Sequence, residues 1–152
     1  MLLGQFDHAV DAKGRVAVPA QFRPHLAPGA VVSIGLDGRL VIWPSSTWEI
    51  HLRNLTVTAG TPAEQRSFFR RMNAGTRDLE LDAQGRLLIH PKHREFAGIQ
   101  ERATFVGMGE YVELCATERW EDEGRELTPE FFTELTDRIN PMGLIAPTPA
   151  PS

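Results

Sequence analysis

Two five-residue segments carry the side chains best suited to chemistry. Asp11-Ala12-Lys13-Gly14-Arg15 recurs 71 residues later as Asp82-Ala83-Gln84-Gly85-Arg86. An arginine fork holds two acceptors at once, such as O6 and N7 of a guanine in a major groove. A neighbouring lysine adds a mobile positive charge suited to a phosphate. Lys13 and Arg15 on a turn therefore make a candidate reading head. Arg86 offers a second one, with Gln84 in place of the lysine. The same spacing has a structural use, in which Asp11 pairs with Arg15 and Asp82 with Arg86 across their turns. The two uses are compatible, because a paired carboxylate also orients the arginine.

The elements that position these residues repeat as well. At the same offset Asp7 matches Asp78, Val18 matches Ile89 and Arg23 matches Arg94. After a one-residue insertion, Gly35 meets Gly107, Ile42 meets Leu114, and Trp48-Glu49 meets Trp120-Glu121. A chain with two such copies reads as a duplicated small β-unit with a pseudo-twofold. Asp11 and Asp82 are turn-forming residues whose carboxylates accept from nearby N–H groups. Gly14 and Gly85 supply the positive φ of a tight hairpin. Short apolar strands follow, Val16 to Val18 and Leu87 to Ile89.

Around the turns, Gln5 to Val10 reads as a strand. Pro19 opens a short helix that Pro24 interrupts. Val31 to Ile34 and Leu40 to Trp43 form a hairpin around Asp37-Gly38. Ser46 to Glu49 has capping-box spacing and opens a helix through Arg53. Thr61 to Glu64 is a second such start, for a helix with Phe68, Phe69 and Met72 on its apolar face. In the second copy, Lys92 to Ala97 reads as a helix ended by Gly98. Thr104 to Val106 and Tyr111 to Leu114 read as paired strands, and Thr117 caps the helix carrying Trp120. Thr128-Pro129 opens an amphipathic helix with Phe131, Phe132, Leu135 and Ile139 on one side. The expected divisions are 5–47 for repeat 1, 48–75 for linking helices, 76–119 for repeat 2, 120–139 for C-terminal helices and 140–152 for a proline-rich disordered tail.

Composition narrows the function classes. The net charge is −4, but residues 1–100 carry 12 Lys and Arg against 9 Asp and Glu, while residues 101–152 carry 4 against 11. The acidity belongs to the C-terminal third, and a phosphate backbone meets the local field. One cysteine, Cys115, gives no disulfide framework and reads as a core residue. No signal peptide or membrane-spanning run is visible, so a cytoplasmic protein without membrane contact is expected. His90 and His93 lie three apart, but no cysteine pair or nearby carboxylate completes a metal site. No metal, cofactor or catalytic residue is expected. Trp48 and Trp120 read as packing anchors. Arg66, Arg70 and Arg71 read as a solvated helix face or a contact for the acidic C-terminal region. Two other classes stay open on residues alone: a ring-forming module whose arginines bind acidic protein segments, and a metal-dependent enzyme at His90 and His93.

The opening MLLGQFDHAVDAKGRVAVPAQFR, with DAQGRLLIHPKHREFAGI later, closely resembles the MraZ family of the SpoVT/AbrB superfamily. The likeness covers residues 1–123. It implies an α+β fold, a duplicated swapped-hairpin β-barrel with short peripheral helices. It implies a transcriptional regulator of the division and cell-wall gene cluster, acting on its own promoter and associated with the nucleoid. The partners it implies are double-stranded DNA, read as short direct repeats, and further copies of the chain in a ring, an octamer or dodecamer. By that likeness Lys13, Arg15 and Arg86 are the DNA-binding residues, with contact mainly from the first repeat. Arg23, Gln84, Lys92 and Arg94 are candidate phosphate contacts. Departures from the family pattern stand at Gln21, Pro24 and His90. The superfamily also includes antitoxins. On that analogy Phe131 and Phe132 mark a partner site, the alternative being docking onto the domain's own surface.

Overall fold

The computed structural model describes residues 1–55 and 59–139. The proposed tail, 140–152, lies outside the described residues. Two compact units divide at Thr117, and the second begins at Glu118. In the first, β1 (Leu2–Ala9), β7 (Arg102–Gly109), β8 (Val112–Ala116), β4 (Leu40–Pro44), β3 (Ala30–Ile34) and β5 (Arg77–Asp78) form a six-stranded antiparallel sheet in that order. A separate two-stranded ribbon joins β2 (Arg15–Ala17) to β6 (Arg86–Leu88).

The strands flanking each turn do not form the local hairpin that the spacing suggests. They meet only at the single bridges Val10↔Val16 and Leu81↔Leu87. Instead β1 runs along β7, from Leu2↔Gly109 to Ala9↔Arg102, and β2 runs along β6. Each strand therefore takes its main partner from the other copy of the repeat. The two copies also exchange hydrogen bonds, with Val18 N donating to Gly85 O at 3.1 Å and Ile89 N to Gly14 O at 2.9 Å.

Pattern explains what is buried. In the ribbon Val16 faces Leu87, and both are almost fully buried, while the outward face carries Arg15, Ala17, Arg86 and Leu88. Phe22, Leu26, Leu40, Ile42, Phe105 and Leu114 fill the core beneath. Phe6 meets Phe22 edge-on, 5.2 Å between centroids. Each such large side chain contributes about 1.5–3 kcal/mol by leaving water.

Several local expectations need correction. The first helix, α1 (Arg23–Leu26), starts later than Pro19 and holds Pro24 in its first turn. A missing N–H costs nothing there, so Pro24 opens the helix rather than interrupting it. Residues 19–22 form a turn instead, with Pro19 O accepting from Phe22 N and Arg23 N. Helix α2 (Ser45–Asn54) forms, but Ser46 makes no capping box. The N-cap is Pro44, and the Thr47 hydroxyl donates back to the Pro44 carbonyl. Thr117 is the first residue of α5 (Thr117–Gly124), and its hydroxyl lies 3.0 Å from that of Thr104. Helix α3 (Pro62–Ala74) has the expected Thr61–Glu64 capping box. Helix α4 (Pro91–Ala97) ends at Gly98, and the Asp37-Gly38 turn closes the β3–β4 hairpin with positive φ at both residues. Helix α6 (Pro129–Ile139) begins as expected, with Thr128 Oγ1 accepting from Phe131 N.

Gly85 combines a left-handed backbone, at φ +74°, with a close neighbour. A Cβ there would stand 2.8 Å from Arg23 Nε, the atom that donates to the Val18 carbonyl. Gly85→Ala should destabilise the fold by about 1–2 kcal/mol from the left-handed backbone alone, and by about 1 kcal/mol more from the displaced hydrogen bond. Urea denaturation checks this, and an unchanged midpoint would contradict it.

Candidate nucleic-acid interface

Each D-x-x-G-R turn is built around its carboxylate. Asp11 Oδ1 accepts from Lys13 N and Arg15 N, both at 2.9 Å, and Oδ2 accepts from Arg15 Nε at 2.8 Å. Asp82 Oδ1 accepts from Gln84 N at 3.0 Å and Arg86 N at 2.9 Å, and Oδ2 from Arg86 Nε at 2.7 Å. The structural pairing weighed on spacing is thus present in both copies. It uses only the Nε edge of each arginine. The side chains of Arg15 and Arg86 stay about one-third exposed.

The ribbon brings the two pairs together. Arg15 lies opposite Leu88, and Arg86 lies opposite Ala17, so both arginines project from the same outward face. Arg86 Nη1 comes within 3.8 Å of Asp11 Oδ2, linking the second turn to the first. Lys13 is exposed on the first turn and Gln84 on the second. Leu88, 46% exposed, adds an apolar contact point that spacing alone did not mark.

Arg23 and Arg94 occupy matched, reciprocal places. Arg23 covers Gly85 of the second turn, and Arg94 lies against Gly14 of the first. Arg23 Nε donates to Val18 O at 2.9 Å. Arg94 donates from Nε to Ile99 O at 3.2 Å and from Nη2 to Gln100 O at 2.7 Å. These contacts tie each arginine to its own repeat while it supports the opposite turn. The shared 71-residue offset was the available signal. Lys92 is exposed on α4.

The two histidines are engaged by the fold. His90 caps α4, its Nδ1 accepting from Lys92 N. Burial, then the positive charges of Arg77, His93 and Lys92, lower its pKa, which keeps that acceptor unprotonated. His93 is buried, and its Nε2 donates to the Gly75 carbonyl at 2.8 Å. Among the described residues no three His, Cys, Asp or Glu side chains converge as a metal site. With Lys13 and Arg94 these histidines line a cavity of about 880 Å³. Cys115 is buried in β8. No described helix is long and apolar enough to cross a membrane.

The carboxylates of both turns are held below the ordinary aspartate value of 3.8. For Asp11 the main cause is the Arg15 N–H, followed by the Arg15 side chain and the Lys13 N–H, against some desolvation. For Asp82 the causes are the Arg86 N–H, the Arg86 side chain and the Gln84 N–H. A lowered folded-state pKa stabilises the fold above the unfolded value, and that contribution disappears as pH falls through the folded value. Melting temperature should therefore fall on acidification below about pH 4. The combined Asp11→Asn and Asp82→Asn variant should lose part of that acid dependence. An acid slope identical to wild type in melts across this range would show that the turns do not contribute.

The family model described as "MraZ protein, putative antitoxin-like" matches residues 1–70 and 72–140, each stretch holding one D-x-x-G-R turn. This extends the likeness past residue 123, where the motifs end. The chain is 36% identical over 144 residues to the transcriptional regulator MraZ of Lachnoclostridium phytofermentans, spanning 95% of this chain and 99% of that protein. It is 39% identical over 121 residues to the protein of the same name from Herpetosiphon aurantiacus, spanning 80% and 85%. To that of Syntrophomonas wolfei it is 33% identical over 144 residues, spanning 95% and 100%. With both halves matched by the family model and relatives aligned over most of their length, the chain belongs to the MraZ family.

Proposed function

We propose that this chain serves the transcriptional role its family supports by reading DNA with the outward face of the β2–β6 ribbon. The observation that carries this reading is the pairing of Arg15 and Arg86 on one exposed face, each oriented through Nε by its own aspartate. That arrangement turns the terminal nitrogens of Arg15 toward an outside acceptor, while those of Arg86 also meet Asp11 Oδ2 at 3.8 Å and Gln84 Oε1 at 3.5 Å, weak contacts that an outside acceptor would replace. A two-stranded ribbon is narrow enough for the major groove. Arg15 and Arg86 read base edges there, and Lys13 meets a phosphate. Arg23, Gln84, Lys92 and Arg94 flank the ribbon as further phosphate contacts.

The finer reading is that the interleaved strands are a swapped-hairpin barrel made from two repeats, at 5–47 and 76–119, joined by helices over 48–75 and followed by helices over 120–139. One ribbon makes few contacts. Copies arranged in a ring, an octamer or dodecamer, present several ribbons to short direct repeats upstream of the chain's own gene, and effective concentration multiplies a modest affinity. Regulation of the division and cell-wall gene cluster, within the nucleoid, follows from the same family likeness.

Fluorescence anisotropy tests the reading. The probes are DNA from upstream of the gene and a scrambled control, over a salt series. Arg15→Ala should lose about 1–3 kcal/mol of preference for the upstream sequence. Lys13→Ala should weaken both probes and lower the salt slope by about one. Wild type with no preference at low salt would overturn the reading, and would direct attention to acidic protein partners of the same arginines.

A further inference from the structure

The two repeats differ at one corner of the core. At the 71-residue offset Phe6 corresponds to Arg77 and Phe22 to His93. In the first repeat Phe6 packs edge-on against Phe22, 5.2 Å between centroids, and Phe22 is almost fully buried. The second repeat has no aromatic pair to place there. Its strand is also shorter. All eight residues of β1 pair with β7, whereas β5 pairs with β3 only through Arg77 and Asp78. Where the first repeat packs two phenyl rings, the second has the cavity of about 880 Å³.

The lining of that cavity is apolar with a few charges. Val31, Val32, Leu40, Leu87 and Ile89 supply the apolar wall. Lys13, Arg77 and Arg94 bring positive charges, against the carboxylates of Asp78 and Glu80. Among the described residues the Arg77 guanidinium has no ion-pair partner. At His90, which also lines the cavity, the charge of Arg77 outweighs that of Glu80, so the field there is positive. Small-molecule sites have this size and this make-up, an apolar body with a few polar groups that fix orientation.

We propose that this cavity binds a small amphiphilic anion, its apolar ring or chain lying on Val32, Leu87 and Ile89 and its carboxylate, sulfonate or phosphate meeting Arg77 and Lys13. Lys13 belongs to the first turn, so an anion held there competes with a DNA phosphate for the same ammonium group. That consequence, unlike the site itself, rests on the DNA reading above. The probe is anilinonaphthalene sulfonate, whose fluorescence rises in apolar surroundings, titrated into the full-length chain beside its uncharged relative N-phenylnaphthylamine. Arg77→Gln keeps the space and should weaken the sulfonate about three- to fivefold, with the uncharged dye unaffected. Arg77→Phe with His93→Phe rebuilds the pair of the first repeat and should exclude both dyes. Arg77→Phe alone, which keeps the His93 bond to Gly75, is the second filling variant, and melting curves check that both fold. In proton NMR titrations the sulfonate should raise the pKa of His90, because an anion beside Arg77 cancels the field that lowers it. Sulfonate affinity unchanged in Arg77→Gln and in both filling variants puts the dye elsewhere and overturns the proposal, as does a wild type that binds neither dye. In the anisotropy assay, saturating sulfonate should weaken DNA binding by wild type and not by Lys13→Ala. Dye bound in the cavity with no effect on DNA keeps the site and overturns the competition.

Discussion

A ladder of three residue pairs sets the register between β2 and β6, and the outward face depends on it. Side chains alternate along a strand, so a slip of one residue would carry Arg15 and Arg86 into the core and expose Val16 and Leu87. Burying two charged guanidinium groups there would cost far more than the ladder contributes. The buried pair Val16 and Leu87 thus specifies the position of the arginines as firmly as any polar contact does. The Asp11 and Asp82 networks then refine the direction in which each fork points.

The local field and the total charge pull in different directions. The chain is acidic overall, yet its turns gather Lys13, Arg15 and Arg86 on one exposed surface, with Arg23 and Arg94 close behind. Asp11 and Asp82 reduce the net charge of that surface. In exchange they hold the arginines in single orientations, so fewer rotamers are lost when an acceptor arrives.

Much of this was legible in the chain before its structure. Turn chemistry is local, so the D-x-x-G-R segments, the Thr61 cap and the Asp37-Gly38 hairpin formed where their residues indicated. Strand partners are not local. The apolar runs after Arg15 and Arg86 marked strands but carried no sign that these would pair with each other. The Ser46 box failed because Pro44 already ends β4 and caps the helix two residues earlier. Arg23 and Arg94 could be matched by offset, but their seat against the opposite turn depends on tertiary packing.

The long reach of β1 also shapes how the chain is made. Leu2 pairs with Gly109 and Ala9 with Arg102, so β1 leaves the ribosome well before its partner and stays unpaired until residues 102–109 have emerged. Pairings of such separation are slow to close, since loop entropy is spent before contacts form. During synthesis β1 is therefore an open edge for as long as its partner is missing, and nascent chains crowded on one message are exposed to mispairing through it.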